Sequence, residues 1–221
     1  MNRQDHWDNI YRTRPVTSVS WFCEHDEASW DWIEAWSLRP TDPVMDVGGG
    51  ASTFVDDLLR RGFSDITILD LSEAAVAAAQ CRLGEKSATV KWVVGDVLDV
   101  ALPERRYRLW RDRAVFHFLT EKSDRIAYVN QLRRSLAADG EVLLATFATD
   151  GPERCSNLPV VRYDEEGLQA ELGRDFTLVQ SKRVMHETPA HKRQAFLYCH
   201  GRWAARRGTG ASSGRSFPGE G

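Results

Sequence analysis

The sequence predicts an α/β domain: a doubly wound, mostly parallel sheet with helices on both faces. Three observations carry this. Strand-sized apolar runs alternate with helix-like stretches from Pro43 to Phe147, a pattern that builds parallel sheets. Glycine or aspartate follows each of the first three runs. Near the end, two further runs are separated by a short connection, the kind that joins antiparallel neighbours.

Asp5 to Trp36 is dense in tryptophan (Trp7, Trp21, Trp30, Trp32, Trp36) and reads as two short helices around a loop at Arg14–Ser20. Val44–Val47 is a first strand running into Gly48, Gly49 and Gly50. Ser52–Arg61 reads as a helix closed by Gly62. Ile66–Leu69 is a second strand ending at Asp70. Ser72 then caps an alanine-rich helix to Leu83, with Glu73 in its first turn. Val90–Val94 is a third strand, ending at Gly95 and Asp96. Tyr107–Trp110 is a fourth and weaker one, and residues 97–106 before it are too few for a full helix. Ser123–Leu136 is a helix, and Asp139-Gly140 turns into a fifth strand, Glu141–Phe147. Asp164–Leu172 is a short helix, and Phe176–Met185 and Gln194–His200 form the final pair. The stretch 204–221 is rich in Gly, Ser and Arg without periodicity and reads as a disordered tail. The chain thus divides into an N-terminal helical segment (1–40), a main domain (41–203) and that tail.

The 221 residues suffice for one such domain with a sizeable core. With 29 basic against 32 acidic residues and a net charge of −3, charge gives no support to a nucleic-acid partner. The polar N-terminus does not read as a secretory signal, and the apolar runs are too short for a membrane span. Four widely spaced cysteines contain no Cys-x-x-Cys pair, so no metal site is expected and a reduced, cytoplasmic chain is the simplest reading.

In an open α/β sheet, ligands bind outside the carboxyl ends of the strands. Asp46, Asp70 and Asp96 all fall at that edge. Gly48, Gly49 and Gly50 let backbone approach a ligand without a Cβ in the way. Asp70 can accept both hydroxyls of a ribose, Asp96 can accept from an adenine amino group, and Asp46 sits close to where an ammonium group would lie. A glycine-rich turn also fits a dinucleotide site, whose acidic residue comes about twenty residues later. Asp46 ahead of the glycines would repel a pyrophosphate. That, Asp96 after the third strand, and the final antiparallel pair favour S-adenosylmethionine.

Asp46-Val47-Gly48-Gly49-Gly50-Ala51-Ser52 resembles the first motif of the class I S-adenosylmethionine-dependent methyltransferases, with Ser52 where the family often has glycine. Leu69-Asp70 resembles their second motif and Gly95-Asp96-Val97 their adenine-binding one. The resemblance spans Asp5 to Trp203. It implies a Rossmann-like, seven-stranded sheet with an antiparallel last strand. It also implies S-adenosyl-L-methionine as cofactor, S-adenosyl-L-homocysteine as product, and Leu71 and Val97 among the cofactor residues. His6-Trp7-Asp8-Asn9-Ile10-Tyr11 and Ser20-Trp21-Phe22 resemble the lead-in of small-molecule and protein-lysine methyltransferases of this class. There the segment implies a lid, with Trp7, Tyr11 and Trp21 packed on the cofactor; a local aromatic cluster is the alternative.

Methyl transfer from a sulfonium needs alignment and exclusion of water more than dedicated catalytic groups. Candidates for chemistry follow the fourth strand: Asp112 at its end, and His117, whose ordinary pKa near neutrality suits a general base. A capping aspartate and a structural histidine are the other reading. Arg113 and, in the loop 150–159, Arg154 and Cys155 are candidate substrate residues, with His186 from between the last strands. Four functions stay open: a small-molecule methyltransferase, a protein-lysine methyltransferase, a non-catalytic S-adenosylmethionine-binding module and a nicotinamide-dependent oxidoreductase. The short chain and near-neutral charge favour the first.

Overall fold

The computed structural model describes residues 2–36 and 38–203; the tail 204–221 lies outside the described residues. Two helices come first, α1 (Arg3–Thr13) and α2 (Glu27–Ile33). The sheet then builds as β1 (Val44–Val47), β2 (Ile66–Asp70), β3 (Lys91–Val94), β4 (Tyr107–Arg113) and β5 (Leu136–Phe147). Helices α3 (Phe54–Arg60), α4 (Glu73–Leu83) and α5 (Lys122–Ser135) lie between them. A two-residue hairpin, β6 (Arg154–Cys155) and β7 (Leu158–Pro159), leads to α6 (Glu165–Leu172). The long pair β8 (Phe176–Glu187) and β9 (Arg193–Trp203) ends the described chain.

The sheet is seven-stranded in the order β3-β2-β1-β4-β5-β9-β8. Strands β1 to β5 run parallel, and β9 is antiparallel to both neighbours. Neighbouring strands lie about 4.8 Å apart. The residues after β3, β2, β1 and β4 therefore form a row about 14 Å long on one edge.

Side-chain alternation divides the core into two layers. Met45, Trp110, Leu144 and Leu197 face one side, where Tyr128 and Leu132 of α5 and Leu168 of α6 cover them. Val44, Leu109, Leu143 and Phe196 face the other, under Trp30 of α2 and Phe54 and Leu58 of α3. Ser72 caps α4 as the sequence predicts, its hydroxyl accepting from the Ala75 N–H at 3.1 Å.

Three elements differ from expectation. Strand β4 runs on to Arg113 instead of stopping at Trp110, because its register with β1 and β5 continues through Asp112. Strand β5 begins at Leu136, absorbing Asp139-Gly140 at an irregularity in its pairing with β4. The expected loop 150–159 contains the β6–β7 hairpin, turned by Ser156 and Asn157, both with positive φ (51° and 62°). Two such residues make the turn that matches strand twist.

Arg111 extends the alternation into a buried charge cluster. It is directly opposite Asp46 in the β1–β4 register. Its Nη1 donates to Asp46 Oδ1 at 2.6 Å and its Nη2 to Asp26 Oδ2, just ahead of α2, at 2.7 Å. All three residues are at most 6% exposed. Burial alone would raise the Asp26 carboxyl, but Arg111 and Arg113 hold it at about 2. Arg111→Met would strand two buried carboxylates, so a loss of about 3–5 kcal/mol is expected. Thermal melting should show a fall on the order of 10 °C, partly restored when Asp26→Asn and Asp46→Asn are added.

Candidate active site

A cleft of about 840 Å³, measured to its open mouth, lies at the carboxyl edge of β1 to β4. It brings together Trp7, Tyr11, Trp21, Gly48, Asp70, Leu71, Asp96 and Val97 of the expected cofactor set, with Arg113 and Cys155 of the expected substrate set.

Gly48 opens the floor. Its φ is +69°, and a Cβ there would overlap the Val115 side chain, so glycine is required twice over. Asp70 is 8% exposed; its Oδ2 accepts from the Gly50 N–H at 2.9 Å and its Oδ1 from the Ser72 N–H at 2.8 Å. A carboxylate has about four acceptor positions, so two remain for a ligand's hydroxyls. Burial pushes this carboxyl up to about 6, against the pull of those two N–H groups. Asp96 Oδ1 accepts from the Leu98 N–H at 3.0 Å, and its Oδ2 stands 3.8 Å from Arg3.

The opposite wall comes from α1 and the turn after it. Trp7 meets Trp21 and Phe118 edge-on, with ring centres 5.4 and 5.1 Å apart. Trp21 Nε1 donates to the Tyr11 hydroxyl at 3.1 Å. Asp8 accepts from the Ser72 hydroxyl at 2.7 Å and the Ala74 N–H at 3.1 Å, adding its charge to the start of α4. Arg3 pairs with Asp124, and His6 reaches Ser156 at 3.3 Å. Arg3 does not stand out in the sequence, and Asp8, though inside the His6–Tyr11 motif, looks solvent-facing on a polar helix.

Several expected site residues sit elsewhere, for physical reasons. Asp46 is fully buried beneath the glycine turn, committed to Arg111, and cannot face an ammonium group. For the same reason it cannot repel a pyrophosphate. Gly49 and Gly50 do not line the cleft; they pack against the Asp46 and Asp70 side chains, where a Cβ would collide. Asp112 lies inside β4 on the face opposite Arg111. It accepts from the Val115 and Phe116 N–H groups at 2.8 and 3.1 Å and from the Tyr128 hydroxyl at 2.6 Å. It therefore fixes the turn through Ala114, which holds a φ of +71°, and does not reach a substrate. Burial raises its carboxyl to about 6.

His117 is also fully buried. Its Nδ1 accepts from the Phe147 N–H at 3.2 Å, and burial, with Arg113 nearby, pushes its pKa down to about 3. It is a neutral core histidine, not a base in the cleft. Arg154 is exposed and turned back on the Asn157 carbonyl of its own hairpin. His186 contacts the Ser20 carbonyl at 2.9 Å, behind Trp21. Cys155 does line the cleft, and burial pushes its thiol up to about 12.

A second cavity adjoins the cleft and shares Tyr11, Trp21, Gly48 and Arg113 with it. Its own walls include Val16, Phe22, Cys23 and Thr53. Among the described residues no cluster of three or more metal-ligating side chains occurs, and no helix is long and apolar enough to cross a membrane.

A family model described as a methyltransferase domain matches residues 44–140. The mouse eEF1A lysine and N-terminal methyltransferase is 22% identical over 63% of this chain, which spans only about 20% of that protein. The human EEF1A lysine methyltransferase 2 is 24% identical over 66% of this chain and 68% of its own. The structure of an S-adenosylmethionine-dependent methyltransferase from Anabaena variabilis superposes with a TM-score of 0.70 at 15% identity, covering 92% of this chain and 96% of that one. Sheet order, glycine turn and matched domain together define the fold of a class I, Rossmann-like methyltransferase. Residues 44–140 thus match a methyltransferase domain on a fold shared with S-adenosylmethionine-dependent methyltransferases, and S-adenosylmethionine is the cofactor these likenesses point to.

The raised Asp70 carboxyl sets a pH dependence. A carboxyl raised on folding adds stability below its unfolded value near pH 4, and that stability is lost as pH rises through about 6. An Asp70 that holds a ligand's hydroxyls would run the other way, because the ionised form offers more acceptor positions. Affinity for S-adenosylhomocysteine, followed by calorimetry, is expected to fall as pH drops below about 6. Asp70→Asn should flatten that slope. Asp70→Ala at neutral pH should cost about 1–3 kcal/mol of affinity.

Proposed function

We propose that the protein transfers a methyl group from S-adenosylmethionine to a small molecule. The observation that carries this is the aromatic wall that narrows the cleft. Its wall opposite the sheet edge is made by Trp7, Tyr11 and Trp21, and its far end by Phe118 and Cys155, all residues of the same chain. Such a space suits a compact acceptor.

In this reading Asp70 takes the ribose hydroxyls, Asp96 the adenine amino group, and Leu71 and Val97 flank the base. Gly48 lets the amino-acid end pass over backbone. Helix α1 and the turn at Trp21 act as a lid that keeps out water, while α2 belongs to the core. The cofactor supplies an electrophilic methyl on a good leaving group, so alignment is the chain's main task. Asp112 and His117 lie off the cleft, and the Cys155 thiol stays protonated near neutrality. The acceptor then attacks with a lone pair it already has, as an uncharged amine or a thiolate does.

A second reading, methylation of a protein lysine, draws on the names of the two relatives. Melting with S-adenosylmethionine, S-adenosylhomocysteine and NAD in separate wells tests the cofactor. Ligand at about a hundred times its dissociation constant adds roughly 2.7 kcal/mol, or about 5–10 °C for a chain of this size. A shift with NAD alone would overturn the reading. Incubation with S-adenosylmethionine and a cell extract split by size, followed by mass spectrometry, separates the acceptors. Methylation in the small-molecule fraction supports the first reading, and a modified lysine peptide the second.

A further inference from the structure

We propose that Arg113 is the anion-binding residue of the acceptor site and that the methyl acceptor carries a carboxylate. This rests on the small-molecule reading above. Strand order places Asp96, Asp70, Gly48 and Arg113 in one row along the carboxyl edge, so Arg113 stands at the end farthest from Asp96.

The guanidinium is held from several sides. In the sheet register Arg113 is opposite Ala145, and Ala145 is opposite Tyr198. The small Ala145 lets Arg113 reach across it, and Nε donates to the Tyr198 hydroxyl at 2.9 Å. That hydroxyl donates in turn to Asp26 at 2.9 Å. Nη1 donates to the Trp21 carbonyl at 2.8 Å, and the plane lies 4.8 Å from the Phe196 ring. Nη2 has no hydrogen-bond partner among the described residues. Arg113 is always charged and belongs to the walls of both cavities.

Arg113 is a fixed cation with one nitrogen open beside Trp21, Phe118 and Val115, which makes it a ready partner for an anion. Charge-assisted bonds from guanidinium to carboxylate are the strong ones. The second cavity touches neither Asp70 nor Asp96, so part of the space facing Arg113 lies away from the nucleoside side. Gly48 borders that space too, so the cofactor's own carboxylate is the competing occupant, and the titrations below separate the two.

Calorimetry on the full chain tests this with Arg113→Gln and Tyr198→Phe. S-adenosylhomocysteine and 5′-methylthioadenosine, which lacks the amino-acid end, are titrated first. Benzoate and its neutral counterpart benzamide are then titrated into protein saturated with S-adenosylhomocysteine. The expected result is unchanged binding of both nucleosides by Arg113→Gln, which also shows that the variant is folded. Benzoate should bind the loaded wild type, lose at least tenfold with Arg113→Gln and several-fold with Tyr198→Phe, and benzamide should not bind. If Arg113→Gln does not fold, Tyr198→Phe alone decides, and unchanged benzoate binding there overturns the proposal. Weaker S-adenosylhomocysteine with unchanged 5′-methylthioadenosine would assign Arg113 to the cofactor's carboxylate and overturn it too. So would benzoate binding that ignores Arg113, or none to the loaded wild type. Failure of the wild type to bind S-adenosylhomocysteine at all would instead reject the methyltransferase reading.

Discussion

Arg111, buried between Asp26 and Asp46, is the contact on which the site depends. Asp46 belongs to β1 and Asp26 to the N-terminal segment, so one guanidinium ties that segment to the middle of the sheet. The consequences run in two directions. Gly49 packs directly over the Asp46 carboxylate, so the ion pair sets the height of the turn that floors the cleft. Asp26 also accepts from Tyr198, which positions Arg113. Floor and far end are thus set by one charge network. Such a network is poor evidence of stability, because desolvation consumes much of the attraction. Its physical role here is geometric: Arg111 fixes Asp26 and Asp46 relative to each other, with Asp46 Oδ2, beneath Gly49, left without a partner among the described residues.

The wall across the cleft is held differently. The outer end of α1 is tied by Arg3, whose side chain is 46% exposed and whose ion pairs contribute little, about 0–1 kcal/mol. The inner end is tied by Asp8, only 7% exposed and bonded to the start of α4. Three edge-to-face aromatic contacts at Trp7, Tyr11 and Trp21 add about 0.5–1.5 kcal/mol each. Grip therefore increases from the free end of α1 toward Tyr11.

The fold, and the gathering of Gly48, Asp70 and Asp96 at one cleft, were legible in the sequence because they rest on local signals. Strand runs, Ser72 as a cap, and Gly48, Asp70 and Asp96 after strands are all set by neighbours within a few residues. What was not legible depends on register. Arg111 reads as an ordinary surface charge until β4 is laid beside β1 and its partner proves to be Asp46. The Ser156-Asn157 turn lacks the glycine that marks such hairpins, so the segment reads as a loop.

The same dependence on register explains why Asp112 faces α5 and not the cleft. A side chain at the carboxyl end of a parallel strand can serve a ligand only if it has left the pleat or points to a face that a cavity reaches. Ending β4 at Trp110 would free Asp112 for the cleft; continuing it to Arg113 turns Asp112 onto α5 and delivers Arg111 and Arg113 to the other face. One strand extended by three residues thus exchanges a carboxylate for a guanidinium at the site. An acidic end would suit deprotonation of an acceptor, whereas a basic end suits binding one. In this chain the strand's length, more than the identity of any single residue, decides which chemistry the cleft offers.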